Sequence, residues 1–472
     1  MNTTNKIFIL TLTCLTTAFY SCRTIRPKAP TMVDKEIPKI VQPISNIDIP
    51  VKAELKNYFK EAETSVPNEF NGNDQRCEGL RYAYFFRRSP FNITGVGNTV
   101  NLKFVGSYGI DLTYCAKCAN ILGTGLRCVV PKVGASCGVG GEAPRRLEIS
   151  YKSSFSALQP NYHLKSRTIL DPRPNPLDRC NVTILNIDAT DRLIGYIEGP
   201  LNNLGSKVDE KVGGVDLKPQ AQKLWDNISK EIKFGNFGYL SIHPQNLRAS
   251  GFNFTDQSIL NFSFGLSAQP VITTESNPTT PSQLPDLTEY QPANGFDIYL
   301  DLFASYDTLS NYISKQAVGQ SIKIGRKKFV ITNVKVSGIG NQKIVLAIDF
   351  KGCRKGTIYL VGTPNYNSIT HEVTFPDLAF DIKTKNLLLK LAKWIFNDKI
   401  TTALKDKAKY NFTKILDDSK VKLQTELNRN ISDNIKTEGT VNDLNIEEIY
   451  PTKEKLMLRA LSKGQLSIIM TE

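Results

Sequence analysis

The chain has 472 residues, 40% of them hydrophobic and 22% charged, an ordinary globular balance that excludes a wholly disordered polymer. At roughly 100–200 residues per domain, this length accommodates about two to four domains. The formal net charge is +14, which favours anionic partners, and three histidines (His163, His243, His371) leave little for a histidine-built metal site or relay.

Met1 to Lys6 is polar with one positive charge, Ile7 to Tyr20 is mostly apolar, and Ser21-Cys22 follows. That order reads as a secretory signal, too short for a transmembrane span. A cysteine directly after the small residue is the bacterial lipoprotein arrangement. The expected mature chain begins at an acylated Cys22, anchored in the outer membrane and facing the periplasm. Its positive balance suits phospholipid headgroups, lipopolysaccharide phosphates or acidic glycans; nucleic acid lies in the wrong compartment. Residues 22–45, with four prolines, read as a tether.

Six of the remaining cysteines, Cys77, Cys115, Cys118, Cys128, Cys137 and Cys180, fall in the N-terminal part, and Cys353 stands apart as an expected lone thiol. In an oxidising compartment disulfides are expected, with their pairing open. Cys115-Ala-Lys-Cys118 is also a spacing that can place two thiolates on one zinc, but the second knuckle is missing.

Three landmarks recur in the same order. Leu55-Lys-Asn-Tyr-Phe59 resembles Leu309-Ser-Asn-Tyr-Ile313, Val182-Thr183-Ile184 resembles Val373-Thr374-Phe375, and Asn227–Lys233 resembles Asn430–Lys436. They read as two divergent copies of one unit. Each copy opens on a short amphipathic helix, at Glu54–Glu63 and Asp307–Gln316. Strands follow at Thr99–Tyr108, Arg146–Phe155, Phe329–Val336, Lys343–Phe350 and Gly356–Val361, with alternating apolar residues. Ser258–Leu266 and Lys455–Leu461 close the copies.

From Leu387 to Asn434 there is neither proline nor glycine, and apolar residues recur at helical spacing. A continuous helix there would reach about 70 Å, so a break is expected near Asp417-Asp418-Ser419. The expected organisation is a signal over residues 1–21, the tether, a first repeat over 46–269 with a cysteine-rich insertion at about 109–145, a Pro-rich linker over 270–295, and a second repeat over 296–472.

The lipoprotein start, the Cys137-Gly138 loop ending in Pro144, Trp225, Pro244-Gln-Asn-Leu-Arg248, Leu284-Pro-Asp-Leu287 and Gly356-Thr-Ile-Tyr-Leu-Val-Gly-Thr-Pro364 resemble the bacterial lipoprotein domain-of-unknown-function family 4403. That family is in turn similar to the tubular lipid-binding superfamily of bactericidal permeability-increasing proteins. The resemblance implies an α+β fold of two tandem modules, each a curved antiparallel sheet wrapped around a long helix, with acyl chains held between them. The cysteine-rich insertion departs from that pattern. The expected liners are Leu388, Leu391, Ile395, Phe396, Ile400 and Leu404 on the helix, with Ile344, Leu346, Ile348 and Phe350 on a strand.

Enzyme signals are poor. Gly199–Lys207 has the wrong spacing for a phosphate-binding loop, and no H-E-x-x-H motif occurs. No catalytic residue, metal or cofactor is expected. The reading is a non-enzymatic lipoprotein that handles lipid or another hydrophobic ligand. The alternative is an interaction lipoprotein without a lipid cavity, binding protein or glycan through aromatics such as Tyr82, Tyr84, Phe85 and Phe86.

Overall fold

The computed structural model describes residues 24–31 and 41–471, except 121–122, 124, 183–186, 235–237, 279, 281, 294, 325–326, 353, 392–401, 403–404 and 407. It is a mixed α+β structure, mostly strand, with six helices among the described residues. None of those helices is long and apolar enough to cross a membrane.

The N-terminal half begins with β1 (Ser45–Glu54), which runs into α1 (Lys56–Ser65). Strands β2 (Glu69–Asp74), β3 (Gly79–Arg88), β4 (Asn92–Val96), β5 (Thr99–Cys115), β6 (Arg145–Phe155) and β7 (Ser166–Leu170) follow. They form a curled half-barrel sheet in the order β7-β6-β5-β3-β2, with β4 paired to β5. Helices α2 (Thr190–Gly213) and α3 (Lys218–Ser229) come next, and β8 (Ile259–Ala268) closes this half. The C-terminal half opens in the same way, β9 (Phe296–Ser305) running into α4 (Tyr306–Ala317). Its sheet is built on β10 (Lys327–Gly340), β11 (Lys343–Gly352) and β12 (Gly356–Gly362). Then come α5 (Ile382–Leu391), α6 (Thr413–Glu426), β13 (Ile435–Pro451) and β14 (Lys455–Met470).

A third sheet joins the halves. β1 lies antiparallel to β8 from Ser45↔Ala268 to Glu54↔Ile259, and β9 lies antiparallel to β14 from Phe296↔Gly464 to Ser305↔Lys455. The two pairs meet where β1 touches β9 at Ile47↔Phe296 and β14, in parallel, at Val51↔Ile468. A buried ion pair braces this sheet: Arg459 Nε donates to Asp301 Oδ1 at 2.7 Å and Arg459 Nη2 to Oδ2 at 2.9 Å.

The described part of the C-terminal half has an apolar core of its own. Ile348, Phe350, Leu360, Leu378, Phe380 and Leu388 form its core. Two hydroxyls stitch α4 onto β10: Ser310 Oγ accepts from Val336 N–H at 2.8 Å, and Ser314 Oγ from Val334 N–H at 3.0 Å. By contrast α1, its counterpart in the N-terminal half, buries no residue fully.

The long C-terminal helix is not continuous. The break falls at the short strand Tyr410–Asn411, and α6 runs unbroken through Asp417, Asp418 and Ser419. Tyr410 N–H and C=O are drawn into a sheet because residues 410–411 pair with Glu372–Thr374, which no helical period announces. The helix also stops at Glu426, and Asn430–Ser432 is strand. Nor is the N-terminal tether free along its length, because Ile25 is fully buried in the C-terminal core. The Pro-rich stretch is packed too: Leu284 and Leu287 are buried around Trp225, whose indole N–H donates to the Ser282 carbonyl at 2.9 Å.

Candidate functional site

The inner face of the half-barrel does not close on itself. Period-two alternation points Leu80, Tyr82, Tyr84 and Phe86 of β3 inward, with Val100, Leu102, Phe104, Tyr108, Ile110 and Leu112 of β5 beside them. Leu147, Ile149, Tyr151, Ser153 and Phe155 of β6 continue the wall, and Leu260, Phe262 and Phe264 of β8 complete it. Opposite lies one face of α2: Leu193, Ile197, Pro200, Leu201, Leu204 and Val208, at spacings of three and four. Leu55, Phe59, Ala62 and Val66 of the α1 region stand at the margin. Between them is a groove of about 1580 Å³.

Tyr108, Leu147 and Ile149 of the wall are buried, but other parts of it are apolar yet exposed. Leu80 and Leu204 are each 50% exposed, and Tyr84 42%. A filled core would bury such residues, so these side chains surround space instead of neighbours. Wall rigidity has a local cause: a Cβ on Gly106 would lie 2.3 Å from the Phe86 ring, so only glycine there lets that ring lie across β5.

Polar groups at the groove are tied to the scaffold. Tyr151 Oη donates to the Leu201 carbonyl at 2.9 Å, joining sheet to helix, and burial pushes this phenol up to about 12. Asp209 of α2 accepts from Ser166 Oγ at 2.6 Å, and from Thr168 N–H and Oγ1, each at 2.8 Å. Burial opposes its ionisation, but these hydrogen bonds outweigh that and hold the carboxyl below the usual range. Arg88 is the one ionised side chain among the described lining residues, and Glu63 claims it.

The pairing of the six cysteines is Cys77–Cys118, Cys115–Cys128 and Cys137–Cys180. The C-x-x-C cysteines thus belong to two different bridges, and no cluster of three or more His, Cys, Asp or Glu side chains suited to a metal occurs among the described residues. Cys137–Cys180 has a positional role. It ties the strand Val133–Cys137 to the start of α2, where Cys180 N–H donates to Thr190 Oγ1 at 2.8 Å. The helical wall of the groove is therefore fixed at its N-terminal end.

The side chains of five of the ten expected liners are described, and they lie elsewhere. Ile344, Ile348, Phe350 and Leu388 are buried in the C-terminal half, and Leu346 packs partly buried against them. None of these five lines the groove. The Leu391 side chain, and all of Ile395, Phe396, Ile400 and Leu404, fall outside the described residues, as do Cys22 and Cys353. The groove residues carried the same alternating signal in β3, β5 and β6. That signal does not distinguish a wall around space from a wall around core.

Residues 43–470 match the sequence model described as "Domain of unknown function (DUF4403)", and the chain belongs to that family. No curated protein matches it. Similar solved structures include a lipopolysaccharide binding protein, 13% identical with a TM-score of 0.23 over 92% of this chain and 100% of that one. Another is P47 of Clostridium botulinum E1, 10% identical with a TM-score of 0.20 over 89% of this chain and 98% of that one. At these values no residue role transfers.

Proposed function

We propose that the protein is a non-enzymatic, lipid-anchored component of the cell envelope that holds an acyl-chain lipid, or a hydrophobic ligand of similar bulk, in the N-terminal groove. One observation carries this reading: a groove of about 1580 Å³ with apolar walls left exposed on strands and helix alike. Small-molecule sites usually enclose about 300–1,000 Å³, so the space suits a larger, flexible apolar ligand. A binding role is favoured over catalysis because the ionised side chain in the lining, Arg88, is already committed to Glu63.

Anchoring through acylated Cys22 at the outer membrane, facing the periplasm, belongs to this proposal and rests on the lipoprotein pattern of residues 1–22. So does an origin by duplication. It is supported by the matching strand-into-helix openings β1–α1 and β9–α4, each strand pairing with the closing strand of its own half. On that view the N-terminal module has kept an open interior. The aromatics of the protein- or glycan-binding alternative, Tyr82, Tyr84, Phe85 and Phe86, line this same groove.

The test is mass spectrometry of organic extracts from the Cys22→Ser chain, purified without detergent. Near-stoichiometric phospholipid or fatty acid is expected. No lipid above a control protein, before or after incubation with liposomes, would overturn the proposal.

A further inference from the structure

We infer that residues 24–31 are a docking segment that clips the chain's N-terminus to the C-terminal half, and that the basic surface around this clip faces an anionic phospholipid bilayer. Ile25 is 0% exposed and packs among Phe329, Phe350, Leu360 and Leu388. Its backbone extends the edge of β12: Ile25 N–H donates to the Lys355 carbonyl at 3.0 Å, and Thr357 N–H donates to the Ile25 carbonyl at 2.9 Å. The receptor for this segment is shaped for it. A Cβ on Gly356 would lie 2.0 Å from the Ile25 carbonyl oxygen, so only glycine admits the approach.

The exposed charges around the clip are basic; Asp381, bonded to Tyr359 two residues along the same edge of β12, is partly buried and accepts from Lys383 N–H at 2.9 Å. Arg26 and Lys28 of the segment are exposed, and so are Lys328, Lys351 and Lys355 on the adjoining strand ends. Phe329↔Gly352 and Phe350↔Gly356 set these strand ends side by side. The nearest carboxylate on those strands, Asp349, is partly buried and accepts from Thr357 Oγ1 at 2.6 Å and Asn333 Nδ2 at 3.2 Å. Each basic residue near an anionic leaflet adds attraction that decays within a Debye length. Cys22 precedes Ile25 by three residues, which an extended chain spans in about 11 Å. An acyl anchor there would hold the basic C-terminal face, and not the groove, against the headgroups. This last step rests on the lipoprotein reading; the clip and the basic face do not.

The experiment therefore uses the full chain with Cys22→Ser, so that failed acylation leaves its result readable. Hydrogen exchange should protect the Ile25 and Thr357 amides, and Gly356→Ala or Ile25→Asp should abolish that protection while the N-terminal half keeps its own. Exchange at Ile25 as fast as in a free peptide would overturn the clip. In flotation with phosphatidylcholine vesicles containing phosphatidylglycerol, the unsubstituted Cys22→Ser chain should bind in a salt-sensitive way. Exchanging Arg26, Lys28, Lys328, Lys351 and Lys355 for Gln, all at exposed sites, should weaken binding at least tenfold. Equal binding by the two proteins, or none by either, would overturn the membrane-facing assignment.

Discussion

Arg88 Nη1 donates to both carboxylate oxygens of Glu63, at 2.7 and 2.9 Å, from a side chain only 3% exposed. The same guanidinium reaches the carbonyls of Glu63 and Pro67 at 2.8 and 3.1 Å and lies 3.8 Å from the centre of the Phe91 ring. A helix that buries none of its own residues fully is thus fastened to β3 by one arginine. Arg88→Met should cost about 1–3 kcal/mol, because Glu63 keeps its contact with solvent while the carbonyls of Glu63 and Pro67 lose a donor, and should loosen α1 selectively. Urea unfolding together with hydrogen exchange of residues 56–65 checks this; a loss below about 1 kcal/mol would show that α1 is held by other means.

Leu204 stands on the groove face of α2 with half its surface exposed. Leu204→Glu should leave the melting temperature within about 2 °C of the unsubstituted chain, because an exposed site tolerates charge. Co-purified lipid should fall at least tenfold, because an acyl chain would then lie against a carboxylate. Unchanged lipid content would place the ligand elsewhere.

Asp209→Asn should destabilise by about 1–2 kcal/mol at neutral pH through weakened bonds to Ser166 and Thr168. The folded pKa of Asp209 is depressed, so its stabilisation is complete above the unfolded value of about 3.9 and is lost as pH falls through the folded value. The gap in melting temperature between the two proteins should shrink steadily from pH 5 to about pH 3. A gap independent of pH would remove the carboxylate from the account.

Replacing Cys137 and Cys180 together by alanine opens a loop with a sequence separation of 43. The chain-entropy relation puts the cost at about 4 kcal/mol, with about 2–4 typical of measured cases. Exchange should accelerate first at the start of α2, where Cys180 bonds Thr190. If faster exchange appeared only in the C-terminal half, the bridge would not be positioning the groove helix.

For the central sheet, Arg459→Met should cost about 3–5 kcal/mol by leaving Asp301 buried without its cation, whereas Asp301→Leu with Arg459→Met should recover much of that loss. Simple additivity of the two single changes, measured by denaturant unfolding, would mean that the pair is not coupled.

The strands were largely legible. The alternation in Ile344, Leu346, Ile348 and Phe350 located β11, and the short helices expected at Glu54–Glu63 and Asp307–Gln316 appear as α1 and α4, although the strands running into them were not anticipated. The groove itself was not legible. Leu80, Tyr82 and Tyr84 around an open space follow the same period as Ile344 and Ile348 in a packed core, because alternation records which way a side chain points and not what it meets. The end of the last long helix misled for a related reason: Tyr410 and Asn411 leave the helix to pair with Val373 and Glu372, a preference set far along the chain. Ile25 carried no local signal at all, since one apolar residue between arginines and prolines gains its role only when Gly356 is brought beside it.

The pairing of Val51 with Ile468 also bears on how the chain is made. One edge of β1 can take β8 once residues 259–268 have emerged. At Val51–Ala53 its other edge waits for residues 468–470 to emerge, tens of seconds later at about 5–20 residues per second. Until then that stretch is an unpaired template for wrong partners. Completion of the N-terminal half therefore waits on β14, and a chain cut short of β14 carries its defect at β1.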